Sequence, residues 1–128
     1  MKMRYGLTFA ALAGMAIGAA AVQSLHAQAK PPVYQITQID VMDEAAYLKD
    51  YAPKARAAIK AAGGTFLVAG GKVTPIEGEV PKSRIVLISW ESVDKAQAYR
   101  DSAAFKELLA LREKLAKFRS FAFEGLPQ

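Results

Sequence analysis

Residues equipped for acid–base, nucleophilic or ligating chemistry are scarce in this chain of 128 residues. It contains no cysteine and a single histidine, His26. Thiolate nucleophiles, thiolate metal sites and disulfides are therefore ruled out, and the usual zinc and haem sites lack their commonest ligand. The clearest paired carboxylates are Glu77 and Glu79, on either side of Gly78. In an extended segment residues i and i+2 share a face, and carboxylates so placed raise one another's pKa, as general acid–base work requires. The same residues also read as a solvated turn. Arg84 opens an apolar run. Its planar guanidinium suits a carboxylate ligand, and it equally suits an ion pair with Glu77 or another acid across a sheet.

Tyr34, Tyr47, Tyr51, Trp90, Tyr99 and Phe105 combine apolar surface with phenol hydroxyls. Such a set suits a flat organic ligand held in a pocket, and it also suits an ordinary aromatic core. Asp101-Ser102 offers polar pocket groups or a helix cap. Gly70-Gly71-Lys72 matches the end of a phosphate-cradling loop, but Val73 stands where Ser or Thr is needed and Phe66 where the first glycine belongs, so the run is a turn. No nucleotide fingerprint follows a strand, and no metal site or cofactor is expected. Basic residues sit beside acids, as in Arg112-Glu113-Lys114, and read as solvated surface. Nucleic acid, which asks for a stripe of one sign, is not an expected partner.

The apolar residues, 52% of the chain, are concentrated at its start. Lys2 and Arg4 precede a run over 6–22 in which only Thr8 is polar, and small residues follow at Ala27 and Ala29. This is the pattern of a secretory signal peptide. Cleavage fits after Ala27 or, as the better A-x-A match, after Ala29, giving a leader at 1–29 and one domain at 30–128. The apolar run, about 17 residues rich in Ala and Gly, is at the lower limit for spanning a bilayer. Export to the periplasm or medium is therefore expected, without stable membrane association after cleavage. His26 leaves with the leader, which excludes a Ser-His-Asp set from the exported domain. Loss of Lys2 and Arg4 leaves 15 basic residues against 12 acidic, a net charge of +3.

The elements that must position the aromatic and charged residues follow from periodicity. Val33–Val41 mixes β-branched and polar residues as a strand does. Asp43 caps a helix carrying Tyr47, Leu48, Tyr51, Ala55, Ile59 and Ala62, in which Pro53 either kinks the helix or restarts it. Gly63-Gly64 ends it. Thr65–Ala69 is a second strand, with Phe66 and Val68 on one face and Leu67 on the other, and Val73–Glu77 extends it beyond a glycine bend. Arg84–Trp90 is the most strand-like run. Ser92 caps one helix, and Asp101-Ser102 starts another that carries Phe105, Leu108, Leu111 and Leu115. Phe118–Glu124 is the last strand.

The order β-α-β-β-α-β predicts an α+β fold, a ferredoxin-like sandwich with an antiparallel sheet and helices on one face. Val86, Ile88 and Trp90 point to one side of the third strand, and Ile85 and Leu87 to the other. A sheet apolar on both faces needs a cover, and no spare element remains to supply it. A second copy, pressed sheet against sheet, is the economical answer.

Tyr34-Gln35-Ile36, Val41-Met42-Asp43, Tyr47, Tyr51, Gly63-Gly64, Gly70-Gly71 and Ile76-Glu77-Gly78 resemble the domain of unknown function 1330 family. So do Arg84-Ile85-Val86-Leu87-Ile88, Trp90, Ala98-Tyr99, Asp101-Ser102, Phe105 and Leu111-Arg112. The resemblance runs in order over nearly the whole exported chain. It implies the ferredoxin-like fold and pairing as a dimeric α/β barrel, a superfamily that includes monooxygenases, isomerases and haem-handling enzymes, and it makes Glu77 the better candidate of the two acids. Ala69 stands where that family usually has arginine, Val80 where tryptophan is common, and Ala103-Ala104 where Pro-Glu is typical. The expectation is an exported homodimer that binds a small apolar or aromatic molecule between sheet and helices. Tyr34, Tyr47, Glu77, Arg84, Trp90, Tyr99, Ser102 and Phe105 are the candidate contacts. A cofactor-independent monooxygenase- or isomerase-like enzyme is the alternative.

Overall fold

Alternating β-branched and polar residues from Val33 onward build the strand on which the sheet depends. In the computed structural model, which describes residues 31–127, this strand is β1 (Val33–Val41). The expected leader at 1–29 lies outside the described residues. β1 pairs antiparallel with β3 (Arg84–Trp90) on one side and β4 (Ala116–Glu124) on the other. The remaining strand, β2 (Thr65–Ala69), pairs antiparallel with β3, giving the sheet order β2-β3-β1-β4. This is the predicted β-α-β-β-α-β arrangement, and Pro32–Gly125 forms one compact unit.

The first crossover begins at Asp43, whose Oδ1 accepts the Ala46 N–H at 3.1 Å and caps α1 (Glu44–Ala46). The chain then widens into a π-helical stretch, Tyr47–Tyr51, before α2 (Ala52–Ala61). Pro53 lies in the first turn of α2 and has no N–H to donate to the turn before it. The Ala52 N–H reaches back to the Tyr47 carbonyl instead, five residues away. Pro53 thus restarts the helix rather than merely bending it. Gly63, at φ +104°, provides the left-handed exit.

The second crossover consists of α3 (Val93–Arg100) and α4 (Ala103–Leu115). Ser92 Oγ accepts the Lys95 N–H, and Ser102 Oγ accepts the Phe105 N–H, both at 3.2 Å. No loop separates α4 from β4. Ala116 is already extended, so the last strand starts two residues before the expected Phe118.

Two strand expectations are corrected. Val73–Glu77 does not continue β2, because Gly70 and Gly71 both adopt positive φ (76° and 94°) and leave the β region, after which the chain is irregular up to Ser83. Within β2 a bulge lies between Phe66 and Val68: Phe66 pairs with Ile88, whereas Val68 pairs with Leu87. The extra residue, Leu67, shifts the alternation, so Phe66 and Val68 fall on opposite faces.

The face beneath the helices holds the core, with Val33, Ile39, Val86, Ile88 and Trp90 from the sheet and Tyr47, Tyr51, Ala55 and Leu115 from the helices. The other face carries a row across all four strands, Val68–Leu87–Ile36–Phe121, with Ile85, Tyr34 and Phe123 beside it. Phe121 and Phe123 are 39% and 54% exposed there, with ring centroids 5.5 Å apart. Among the described residues the sheet is therefore apolar on both faces, with helices covering only one.

Ile88, 2% exposed, is the most buried residue of the core. Ile88→Ala is expected to cost about 2–5 kcal/mol, read as a lower urea midpoint at unchanged slope. Leu67→Ser, at the exposed bulge, is expected to change stability by no more than about 0.5 kcal/mol.

Candidate functional site

Helices and sheet do not close completely on one another. A cavity of about 440 Å³ lies between them, within the range of small-molecule pockets. Its floor is polar along one line. The Trp90 indole N–H donates to Gln35 Oε1 at 2.9 Å, the Gln35 amide donates to Thr37 Oγ1 at 3.4 Å, and the Thr37 and Ser120 hydroxyls lie 2.7 Å apart. These residues sit on β3, β1 and β4 at inward positions, so the line crosses three strands. Ile39, Phe66, Val86, Ile88 and Phe118 make the rest of the floor apolar.

The roof is aromatic and cationic. The π-helical stretch brings Tyr47 and Tyr51 together, with centroids 5.4 Å apart, and Tyr51 meets the Phe118 ring edge-on at 5.6 Å. From the second crossover, Tyr99 stacks on Trp90 at 6.2 Å and meets Phe105 edge-on at 5.7 Å. Four arginines also line the cavity: Arg56, Arg84, Arg100 and Arg112. Each lies over an aromatic face, from Arg56 on Phe66 at 5.6 Å to Arg112 on Phe118 at 3.7 Å. The ring quadrupole offsets part of the cost of withdrawing these cations from water.

Burial sets the protonation of the phenols. It raises the pKa of Tyr47, with Arg84 opposing the rise from within hydrogen-bonding reach, and it raises that of Tyr99 against the field of Arg112. The Tyr51 phenol is pushed up by burial to about 12, although Arg112 acts against this. For Arg112, burial disfavours the charged form and Arg100 adds repulsion, while the Tyr51 phenol offsets part of this. At neutral pH the phenols are therefore hydrogen-bond donors. No Asp, Glu, His, Lys or Cys is among the lining residues.

Of the residues singled out from the sequence, Tyr47, Tyr51, Arg84, Tyr99 and Phe105 line this cavity. Trp90 stands behind it, holding Gln35 and Tyr99 in place. Ser102 works as a cap: besides accepting from Phe105, its hydroxyl donates to the Tyr99 carbonyl at 2.6 Å. Tyr34 is on the open sheet face opposite Ser89 and Phe123, since Val33 and Gln35 on either side of it point inward. Glu77 lies in the exposed segment after Gly71, away from the cavity and outside any strand, so it does not share a strand face with Glu79. Nor does it pair with Arg84, whose Nη2 donates to the Ala69 carbonyl at 2.8 Å. The Arg84 guanidinium lies so close to Gly70 that a Cβ there would collide with it.

The largest correction concerns Arg112. The alternation Arg112-Glu113-Lys114 reads as surface, yet Arg112 is turned into the cavity wall, over Phe105 at 4.9 Å as well as Phe118. The signal lay in spacing: Arg112 follows Phe105 by seven residues, two turns of helix, and so shares its buried face. Gln35, Thr37 and Ser120 were hidden because inward polar residues on strands look like solvent-facing ones until a cavity explains them. Among the described residues, no cluster of three His, Cys, Asp or Glu side chains is placed to hold a metal ion, and no helix is long and apolar enough to cross a membrane.

The fold and site together define a ferredoxin-like α+β domain with a ligand-sized cavity between helices and sheet. The chain belongs to the family described as Domain of unknown function (DUF1330), whose model matches residues 32–126. Among solved structures it is similar to the methylated RPA0582 protein, at 12% identity and a TM-score of 0.60, over 76% of this chain and 82% of the other. It is also similar to the RPA0582 protein of unknown function from Rhodopseudomonas palustris, at 14% identity and a TM-score of 0.55, over 77% and 85%. At these identities the likeness establishes the fold. No curated protein matches the sequence.

The raised Tyr51 pKa has a definite sign in stability. Below pH 10 the phenol is protonated in both folded and unfolded chains; above it the unfolded chain gains stability by ionising first. Stability is expected to fall as pH rises from about 10 to about 12, and Tyr51→Phe should flatten that fall in urea melts at stepped pH. Ser102→Ala is expected to lower stability by about 1 kcal/mol through the lost cap.

Proposed function

We propose that this protein is exported, pairs with a second copy through its open sheet face, and holds a small apolar or aromatic molecule in the cavity of each subunit. The observation that carries this reading is the cavity itself. Its walls set aliphatic and aromatic side chains beside the hydrogen-bonded Gln35–Thr37–Ser120 line and the arginines, and its volume suits a single organic molecule. Binding is favoured over the enzymatic alternative by the chemistry of the lining. A proton-moving step near neutral pH would need a group that titrates there, and the cavity offers arginines and phenols whose pKa values burial has raised.

Pairing is supported by the open face. The row Val68–Leu87–Ile36–Phe121 runs unbroken across the sheet, and one end of the same face is polar, with Asp40 opposite Lys117 and Gln38 opposite Arg119. Both charge signs lie on one rim, so burial of the row against a second copy leaves the charged end at the edge of the contact. Export is supported by the residue pattern at 1–29 and by a family match that begins only at residue 32.

Native mass spectrometry of the full chain, expressed and recovered from a periplasmic fraction, tests all three parts. The expected spectrum is a dimer of subunits beginning at Lys30. An intact leader would overturn export. A monomer at micromolar concentration would overturn pairing, and Leu87→Arg is expected to convert dimer to monomer. For the cavity the probe is neutral N-phenyl-1-naphthylamine, whose fluorescence should rise on binding and should not rise with Ala122→Trp, a filling substitution at the exposed edge of the lining. Equal fluorescence from both proteins would overturn the cavity reading.

A further inference from the structure

The cavity has one property that an apolar ligand alone does not account for: its charge is entirely of one sign. Arg84 and Arg112 are partly buried in its wall, Arg56 and Arg100 stand more exposed, and no carboxylate is among the lining residues. Like charges drawn into a low-dielectric space repel and lose hydration, and cation–π contacts return only part of that cost. Arg84 is incompletely satisfied besides, since its Nε is buried without a hydrogen-bond acceptor. The neighbouring hydroxyls, on Tyr47 and Tyr51, are protonated donors at neutral pH. The arginines and phenols thus leave donors without an acceptor of matching charge.

We propose that the ligand is an anion, a carboxylic acid with an aromatic or aliphatic body, whose carboxylate is taken by Arg112 with Arg84 as the second donor. The inference rests on the cavity reading above and adds the charge and class of the ligand. Arg112 lies over Phe118 and also borders Phe105, so its ring-facing surface is occupied; the Tyr51 hydroxyl is within hydrogen-bonding reach of one N–H, and the rest of the N–H edge is the part left for a ligand. A planar edge donates two parallel hydrogen bonds to a carboxylate. Ile39, Phe66 and Ile88 leave the rest of the ligand an apolar environment, which argues for one charged end on an apolar body over a multiply charged phosphate. An anion beside Arg112 would also relieve the burial and Arg100 repulsion that disfavour its charge.

The test compares 1-naphthylacetate with its uncharged amide, 1-naphthaleneacetamide, by isothermal titration calorimetry on the purified protein. The carboxylate is expected to bind about tenfold to hundredfold more tightly, the range for a charge-assisted hydrogen-bonded pair. Arg112→Gln should bring the ratio close to one, Arg84→Gln should reduce it, and Arg112→Lys should leave an intermediate preference because charge stays while the planar edge is lost. The wild-type ratio needs no variant, so misfolding of a substituted protein cannot mask the answer. Equal affinity for acid and amide overturns this inference while leaving the cavity reading in place. A preference untouched by both glutamine substitutions overturns it too, as does competition by inorganic phosphate as strong as that of the carboxylate. Absence of binding by either naphthyl compound overturns the inference, while the cavity reading beneath it stands or falls with the neutral-probe comparison of wild type and Ala122→Trp.

Discussion

Because β1 is paired on both sides, its alternation decides the face of nearly every other residue in the sheet. Val33, Gln35, Thr37 and Ile39 point beneath the helices, and register with β3 and β4 carries that choice to Trp90, Ile88 and Val86 on one side and Phe118, Ser120 and Ala122 on the other. A slip of one residue would exchange the floor of the cavity for the open apolar row. The register is held because the two faces differ in kind. One has large apolar residues at Ile39, Ile88 and Trp90 that only the helices can cover, and the other ends in Asp40, Lys117 and Arg119. The hydroxyl pair of Thr37 and Ser120 and the Trp90–Gln35 bond then lock inward polar residues that would be costly to bury alone.

Much of this was legible beforehand because it rests on local rules. Strand β1 has the predicted bounds, as do β2 and β3, and Asp43, Ser92 and Ser102 cap helices where short polar residues before apolar periodicity place them. What was not legible depended on non-local geometry. The bulge at Leu67 is a property of pairing with β3, so five residues of apparent alternation gave the wrong faces. Val73–Glu77 has β-branched composition, but two consecutive glycines with positive φ lie before it, and composition carries no information on how far a chain recovers after such a bend.

The site divided along the same line. Aromatic residues at helical spacing were found because burial follows periodicity, so Tyr47, Tyr99 and Phe105 were recognised. Glu77 was attractive as a carboxylate in an apparent strand and lost its setting when the strand ended early. Charge neighbours along the chain suggest a surface position for Arg112, as if they were charge neighbours in space. On a helix they are not: Glu113 is about 100° around the axis from Arg112, whereas Phe105 lies on nearly the same line. Reading arginines by what shares their helical face, rather than by what precedes and follows them, would have placed Arg112 beneath the roof.

The π-helical stretch links these observations. Within it the Ala52 N–H bonds the Tyr47 carbonyl five residues back, immediately before Pro53, which has no N–H of its own to give. The wider turn aims two phenols, Tyr47 and Tyr51, at the same side of the cavity. π-bulges recur at functional sites because they re-aim side chains in this way. Here the re-aimed groups are donors: burial keeps them protonated, and the arginines beside them temper the effect without reversing it. A cavity lined by phenol and guanidinium donors over an apolar floor is organised to receive electron-rich atoms, and it holds no lining group that would take a proton from them at neutral pH. That asymmetry is a property of the lining residues and not of the fold, which hosts many unrelated chemistries.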